Sequence, residues 1–180
     1  MTGTCGARPG DMANIAFVLA DGFEDSEFRK PYDGLRAKGH TIDIIGASAG
    51  ATVKGKKGTE VVTIEQAARE VDPARYDALV IPGGSSPDHL RTDKSVVHFV
   101  QTMQRSGKVI AAVCHGPLLL IEAEGVKGKV LTSWPSVKAD LENAGATWVD
   151  EEVHVDGTLI TSRRPRDLLA FTAAIAKQLG

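Results

Sequence analysis

The sequence predicts an α/β protein: a flavodoxin-like, doubly wound sandwich on a mostly parallel central sheet, with a cysteine on a nucleophile elbow. Three observations predict it. Short apolar runs at 14–20, 78–81 and 108–113 read as strands buried on both faces. Segments of helical periodicity lie between them, and strands alternating with helices build a parallel sheet covered on both sides. The run Lys108-Val109-Ile110-Ala111-Ala112-Val113 stops on Cys114-His115-Gly116-Pro117, followed by apolar 118–121 and Gly125. Proline suits the first turn of a helix and glycine the position past its end, so a thiol stands at a strand–turn–helix junction.

In chain order, residues 1–13 are rich in Gly, Thr and Arg without periodicity and read as a mobile tail, with Met12 an alternative start to Met1. One α/β domain fills 14–180. Its first strand, 14–20, enters the acidic turn Asp21-Gly22-Phe23-Glu24-Asp25-Ser26-Glu27. A helix then runs to about Lys38, stopped by Gly39 and expected to bend at Pro31. Residues 41–47 form strand two, and 50–62 a β-ribbon whose turn, Lys54-Gly55-Lys56-Lys57-Gly58, carries solvated lysines. A short helix is expected over 64–70, a connector over 72–77, a buried strand over 78–81, and a glycine turn at Gly83-Gly84. Residues 94–105 read as an amphipathic helix with Val96, Val97, Val100 and Met103 inward and His98 on the surface. After the elbow come a strand at 130–131, the loop Thr132-Ser133-Trp134-Pro135, a helix over 136–143, strands at 147–149 and 153–161 with a turn at Asp156-Gly157, and a last helix over 165–179. The core face of that helix is Leu168, Leu169, Phe171, Ala174 and Ile175.

Composition excludes several function classes. A net charge of −2 and a pI near 6.2 offer nothing to attract nucleic acid or a membrane surface. No apolar run has spanning length and no signal-peptide pattern opens the chain, which points to a cytoplasmic protein. Two cysteines, Cys5 and Cys114, make no disulfide framework and suit a reducing compartment. No CxxC or HxxxH occurs, which argues against a zinc site.

Cys114 projects from the carboxyl end of a strand, where open α/β sheets bind ligands. The following helix should aim its N–H groups at the sulfur and favour the thiolate, the nucleophilic form. A small buried hydrophobe is the alternative for such a cysteine. Glu24 ends strand one on the same sheet edge, whereas Asp25 and Glu27 fit ordinary complements to a helix dipole. Gly83 and Gly84 either expose backbone N–H groups to a ligand or make a plain turn.

Together, Asp21-Gly22-Phe23-Glu24-Asp25-Ser26-Glu27, Asp77-Ala78-Leu79-Val80-Ile81-Pro82-Gly83-Gly84 and Ala112-Val113-Cys114-His115-Gly116-Pro117 resemble the PfpI intracellular protease family. That family lies in the superfamily of the parkinsonism-associated protein deglycase, of class I glutamine amidotransferase-like fold. Thr132-Ser133-Trp134-Pro135 and Thr161-Ser162-Arg163-Arg164-Pro165-Arg166-Asp167-Leu168 also look like family segments. The resemblance implies that Cys114 is the elbow nucleophile in a strained conformation, that Glu24 approaches its sulfur as proton donor or acceptor, and that His115 is the partner base. It implies an oxyanion hole from the N–H groups of Gly84 and His115, and a carboxylate at Asp88, reaching His115 from a neighbouring subunit. Family proteases usually carry glutamate there, so the chain departs by one methylene. The alternative for His115 is a residue that fixes the backbone and faces away from the sulfur.

Glu24 beside a thiolate on a partly dry edge should have a raised pKa, and each oxyanion donor would contribute roughly 3–4 kcal/mol. Three functions share this equipment. A cofactor-independent, cysteine-dependent stress enzyme of glyoxalase or deglycase type would act on reactive small carbonyls or their early protein adducts. A PfpI-type peptidase would also need an oriented His115. A redox-sensing or chaperone-like stress protein would need only Cys114. Carbonyl chemistry ranks first because its groups lie in one chain. The expected partners are a small carbonyl or a peptide and further copies of the chain, as a homodimer or larger homo-oligomer.

Overall fold

The structure, a computed structural model, describes residues 12–180. Cys5 and most of the expected tail lie outside them. Ala13 is buried and its N–H donates to His40 Nδ1 at 3.0 Å. The elements are β1 (Asn14–Val18), α1 (Asp25–Ala37), β2 (Thr41–Gly46), β3 (Thr52–Lys54), β4 (Val61–Thr63), β5 (Gln66–Ala67), β6 (Ala78–Ile81), α2 (Ser86–Leu90), α3 (Lys94–Arg105), β7 (Val109–Val113), α4 (Pro117–Glu122), β8 (Val130–Leu131), α5 (Lys138–Asn143), β9 (Thr147–Trp148), β10 (Val153–Asp156), β11 (Leu159–Ser162) and α6 (Leu168–Leu179).

The main sheet runs β10-β11-β7-β6-β1-β2-β5, parallel throughout except where β10 pairs antiparallel with β11. Side chains alternate across a strand, and β1 shows the consequence. Ile15 and Phe17 face one layer with Phe28 and Leu35 of α1 and Phe171 and Ile175 of α6. Ala16 and Val18 face the other, with Phe99 and Val100 of α3, Leu119 of α4 and Leu141 of α5. The core therefore lies in two slabs, one on each face. The sheet's carboxyl edge lies between the layers, and the ends of β1, β6, β7 and β11 meet there. No helix among the described residues is long and apolar enough to cross a membrane.

Asp93 caps α3 by accepting the N–H groups of Ser95 and Val96, a side-chain solution to its unpaired first donors. Phe99 takes the inward place beside Val96, Val100 and Met103, while Val97 is half-buried.

Expectations fail at residues 64–70 and at Leu169. Residues 64–70 form no helix: Gln66 and Ala67 pair with Ile45 and Gly46 of β2. The Glu65 and Ala68 N–H groups go to Ile44 O and Gly46 O, at 2.8 and 2.9 Å. Seven residues make a marginal helix, and an open sheet edge offers their backbone better partners. Leu169 is 87% exposed. A 3₁₀ turn at Pro165–Asp167 precedes α6, so the buried stripe is Leu168, Phe171 and Ile175, and Leu169 lies off it.

Candidate active site

Cys114 follows β7 with φ +63°, in the left-handed region. A side chain there costs about 1–2 kcal/mol. The backbone is held on both sides: Cys114 N–H donates to Ser162 O and Trp134 N–H donates to Cys114 O, each at 3.0 Å. The thiol is buried.

The carboxyl beside it belongs to Glu27, in the first turn of α1. A Cβ built on Gly83 would meet Glu27 Oε1 at 2.6 Å and Cys114 Cβ at 2.9 Å, so the two side chains close over that glycine. Glu27 Oε1 accepts the Gly83 N–H at 2.9 Å, and its buried Oε2 has no hydrogen-bond partner among the described residues. Burial, then the charge of Glu24, pushes the Glu27 carboxyl up to about 8, against the hydrogen bond from Gly83 and the nearby Cys114 thiol. Burial, then the charge of Glu27, pushes the Cys114 thiol up to about 12. Two anions in one dry site repel, so the pair resists losing both protons. Burial and the Glu27 charge therefore oppose the thiolate stabilisation expected from α4, a helix of six residues.

Glu24, expected against the sulfur with a raised pKa, is instead the N-cap of α1. Its carboxylate turns back to accept the Glu27 N–H at 3.0 Å and the Ser26 hydroxyl, and it pairs with Lys57 Nζ at 2.9 Å. The Lys57 contact is ionic and lies off the line of a hydrogen bond. Burial alone would raise its pKa, but the hydrogen bonds from Ser26 and the Glu27 N–H, with the charge of Lys57, overcome this and hold it below the ordinary value. Lys57 is therefore no free solvated lysine. Asp25 is also committed, accepting the Lys57, Thr59 and Glu60 N–H groups and the Thr59 hydroxyl.

His115 does reach the sulfur, with Nδ1 3.3 Å from Sγ. Its ring stacks on Trp134 at 6.4 Å and 24°, and the Arg164 guanidinium lies 5.5 Å from that indole. Burial, then the charge of Lys56, holds the imidazole below its ordinary pKa, favouring the neutral form. Gly84, at φ +74°, could carry no side chain: a Cβ would meet Gly22 O at 2.2 Å. The Gly84 N–H has no acceptor among the described residues, and the His115 N–H lies against the Cys114 sulfur. Asp88 lies exposed on α2, and no hydrogen bond or ion pair joins it to His115 within the chain. Among the described residues no cluster of His, Cys, Asp or Glu could hold a metal ion.

The geometry thus joins Cys114, Glu27 and His115, leaves Asp88 apart, and assigns Glu24 to the helix end. The sequence did carry a signal for Glu27: with Phe28, Pro31 and Leu35 it falls on the inward stripe of α1.

The chain matches the DJ-1/PfpI family over residues 13–178. It is 48% identical over 167 residues to protein/nucleic acid deglycase 2 of Escherichia coli, covering 92% of this chain and 97% of that protein. It is 45% identical over 158 residues to general stress protein 18 of Bacillus subtilis, covering 87% and 92%. Among solved structures, Drosophila melanogaster DJ-1beta superposes with a TM-score of 0.87 at 31% identity, covering 94% and 91%. A two-domain protein of Anabaena variabilis, with DJ-1/ThiJ/PfpI-like and ferritin-like domains, gives a TM-score of 0.92 at 40% identity. The match covers 93% of this chain and 48% of the longer one.

Proposed function

Because the chain belongs to the DJ-1/PfpI family, we propose that it is a cofactor-independent stress enzyme whose Cys114 attacks reactive small carbonyls or their early protein adducts. The similarity to a deglycase and to a general stress protein supports this. The observation that carries it is the buried Glu27 carboxyl, which closes with Cys114 over Gly83 and which burial pushes up to about 8. Ionised Glu27 takes the thiol proton as sulfur bonds to the carbonyl carbon, and the π pair moves to oxygen. The Gly84 and His115 N–H groups face the developing oxyanion. Protonated Glu27 then returns its proton to that oxygen, giving a hemithioacetal with nothing oxidised or reduced. With a dicarbonyl, the same carboxylate lies beside the C–H whose proton must move to the neighbouring carbon, giving a thioester that water cleaves to a hydroxy acid.

The contact of Sγ with His115 Nδ1 favours a second function, peptide hydrolysis. Asp88 on a neighbouring copy would then orient the imidazole. Methylglyoxal and peptide turnover, with wild type, Cys114→Ser and Asp88→Asn, separate the two. Dicarbonyl turnover lost in Cys114→Ser and kept in Asp88→Asn supports the carbonyl enzyme. Peptide cleavage lost in both, without dicarbonyl turnover, would overturn it.

A further inference from the structure

The β3–β4 turn is built onto the start of α1. Gly55 bridges Phe23 on one side as Gly84 does on the other, so the turn and the Gly84 loop flank the same residue. Lys56 N–H donates to Phe23 O at 2.9 Å. Asp25 gathers the donors beyond it, and Arg29 holds Glu60 through two hydrogen bonds at 3.0 and 2.8 Å. Gly55 lets Asp25 approach, since a Cβ there would lie 2.3 Å from Oδ2. The turn's backbone is therefore fixed, and its two central lysines do different things.

Lys57 is neutralised by Glu24. Lys56 is exposed and has no acidic partner within ion-pair distance among the described residues. Its charge acts on Cys114, Glu27 and His115 together. The carboxylates nearby are already answered, Glu24 by Lys57 and Asp25 by its four donors. Beyond His115, Arg164 over Trp134 is a second cation without a carboxylate in ion-pair range among the described residues.

We propose that Lys56 is a specificity-determining residue that draws to Cys114 small electrophiles carrying their own carboxylate, in preference to neutral ones of similar size. The inference rests on Cys114 as the attacking residue and deepens it by naming a substrate class: carbonyl compounds with an anionic group beside the reacting carbon. The carbonyl oxygen faces the Gly84 and His115 N–H groups while the carboxylate faces Lys56.

The test is the ratio of alkylation rates at Cys114 by iodoacetate and by iodoacetamide, read by peptide mapping with Cys5 as internal reference. In each reaction the sulfur–carbon bond forms and iodide leaves. Both reagents draw on the same thiolate, so its amount cancels in the ratio. Lys56→Met should lower the ratio about five-fold at low ionic strength, and molar salt should remove the difference from wild type. Lys56→Glu should lower it further, Lys56→Arg should restore it, and Lys54→Met, which removes the same charge from the same hairpin, should leave it unchanged. A ratio indifferent to Lys56→Met, or lowered equally by Lys54→Met, would overturn the assignment. Methylglyoxal consumption by the same preparations reads the proposed activity separately. Charge-dependent alkylation without turnover sinks the activity alone, and turnover with charge-independent alkylation sinks the Lys56 assignment alone.

Discussion

Glu27→Gln should stabilise the protein, and increasingly so as pH rises. The amide keeps the shape, its oxygen still accepts the Gly83 N–H, and no charge remains to bury. In the folded protein the Glu27 carboxyl lies near 8, against an ordinary 4.5. The folded state therefore binds the proton more tightly than the unfolded chain does. That contribution is fully present below 4.5 and is lost as pH rises through about 8. The rise corresponds to roughly 5 kcal/mol lost across this window, a large share of a typical domain's stability. Urea unfolding of wild type and variant at pH 5, 7 and 9 measures it. The variant's advantage should be smallest at pH 5, about 1 kcal/mol or less, and largest at pH 9. Parallel stability–pH curves would refute the reasoning, because they would mean that Glu27 titrates alike in the folded and unfolded states.

Glu27→Gln should also lower methylglyoxal kcat by about 10²–10⁴-fold and abolish the rise in kcat/KM as pH passes about 8. Glu24→Gln should lower the melting temperature, through the lost Lys57 pair and weakened cap, while leaving kcat within a few-fold. Equal losses of kcat in both variants would count against the assignment. Phe171→Ala should destabilise by about 3–5 kcal/mol, and Leu169→Ala by no more than about 0.5 kcal/mol, both read by denaturant unfolding. Light scattering at micromolar concentration should find a dimer or larger oligomer, since Asp88 is presented to solvent on α2 and reaches no histidine of its own chain. A monomer would remove the neighbour-completed peptidase site.

The fold was legible wherever one periodicity dominated. Strands β1, β6 and β7 are apolar on both faces because both faces are covered, and α3 announces itself through Asp93 and the Val96, Val100, Met103 spacing. Residues 64–70 misled for the complementary reason. Ile64, Ala67 and Ala68 fit one face of a helix, and only the open edge of β2, distant in sequence, decides that they pair as a strand. Leu169 failed by phase. Its helix starts after a 3₁₀ turn, and a small rotation moves the apolar stripe off it. Glu124, at φ +59°, takes the left-handed position after α4 that Gly125 was expected to fill. Gly125 instead makes room for the Gln104 side chain.

At the site, the elbow could be read from residues alone because strand, thiol and Gly-Pro are contiguous, but the choice among neighbouring carboxylates could not be made by distance along the chain. Glu24 is nearer the strand end, yet an N-cap side chain bends back toward its own helix and is consumed there. Glu27, three residues on, is aimed across the sheet edge by the same helical turn that buries Phe28 and Leu35. Ser26, Lys57 and the Glu27 N–H make Glu24 a stable anion, and that anion then helps keep Glu27 protonated beside the sulfur. The acidic turn thus divides into a capping carboxylate, a hairpin anchor at Asp25 and a proton carrier. Helix phase decides which is which.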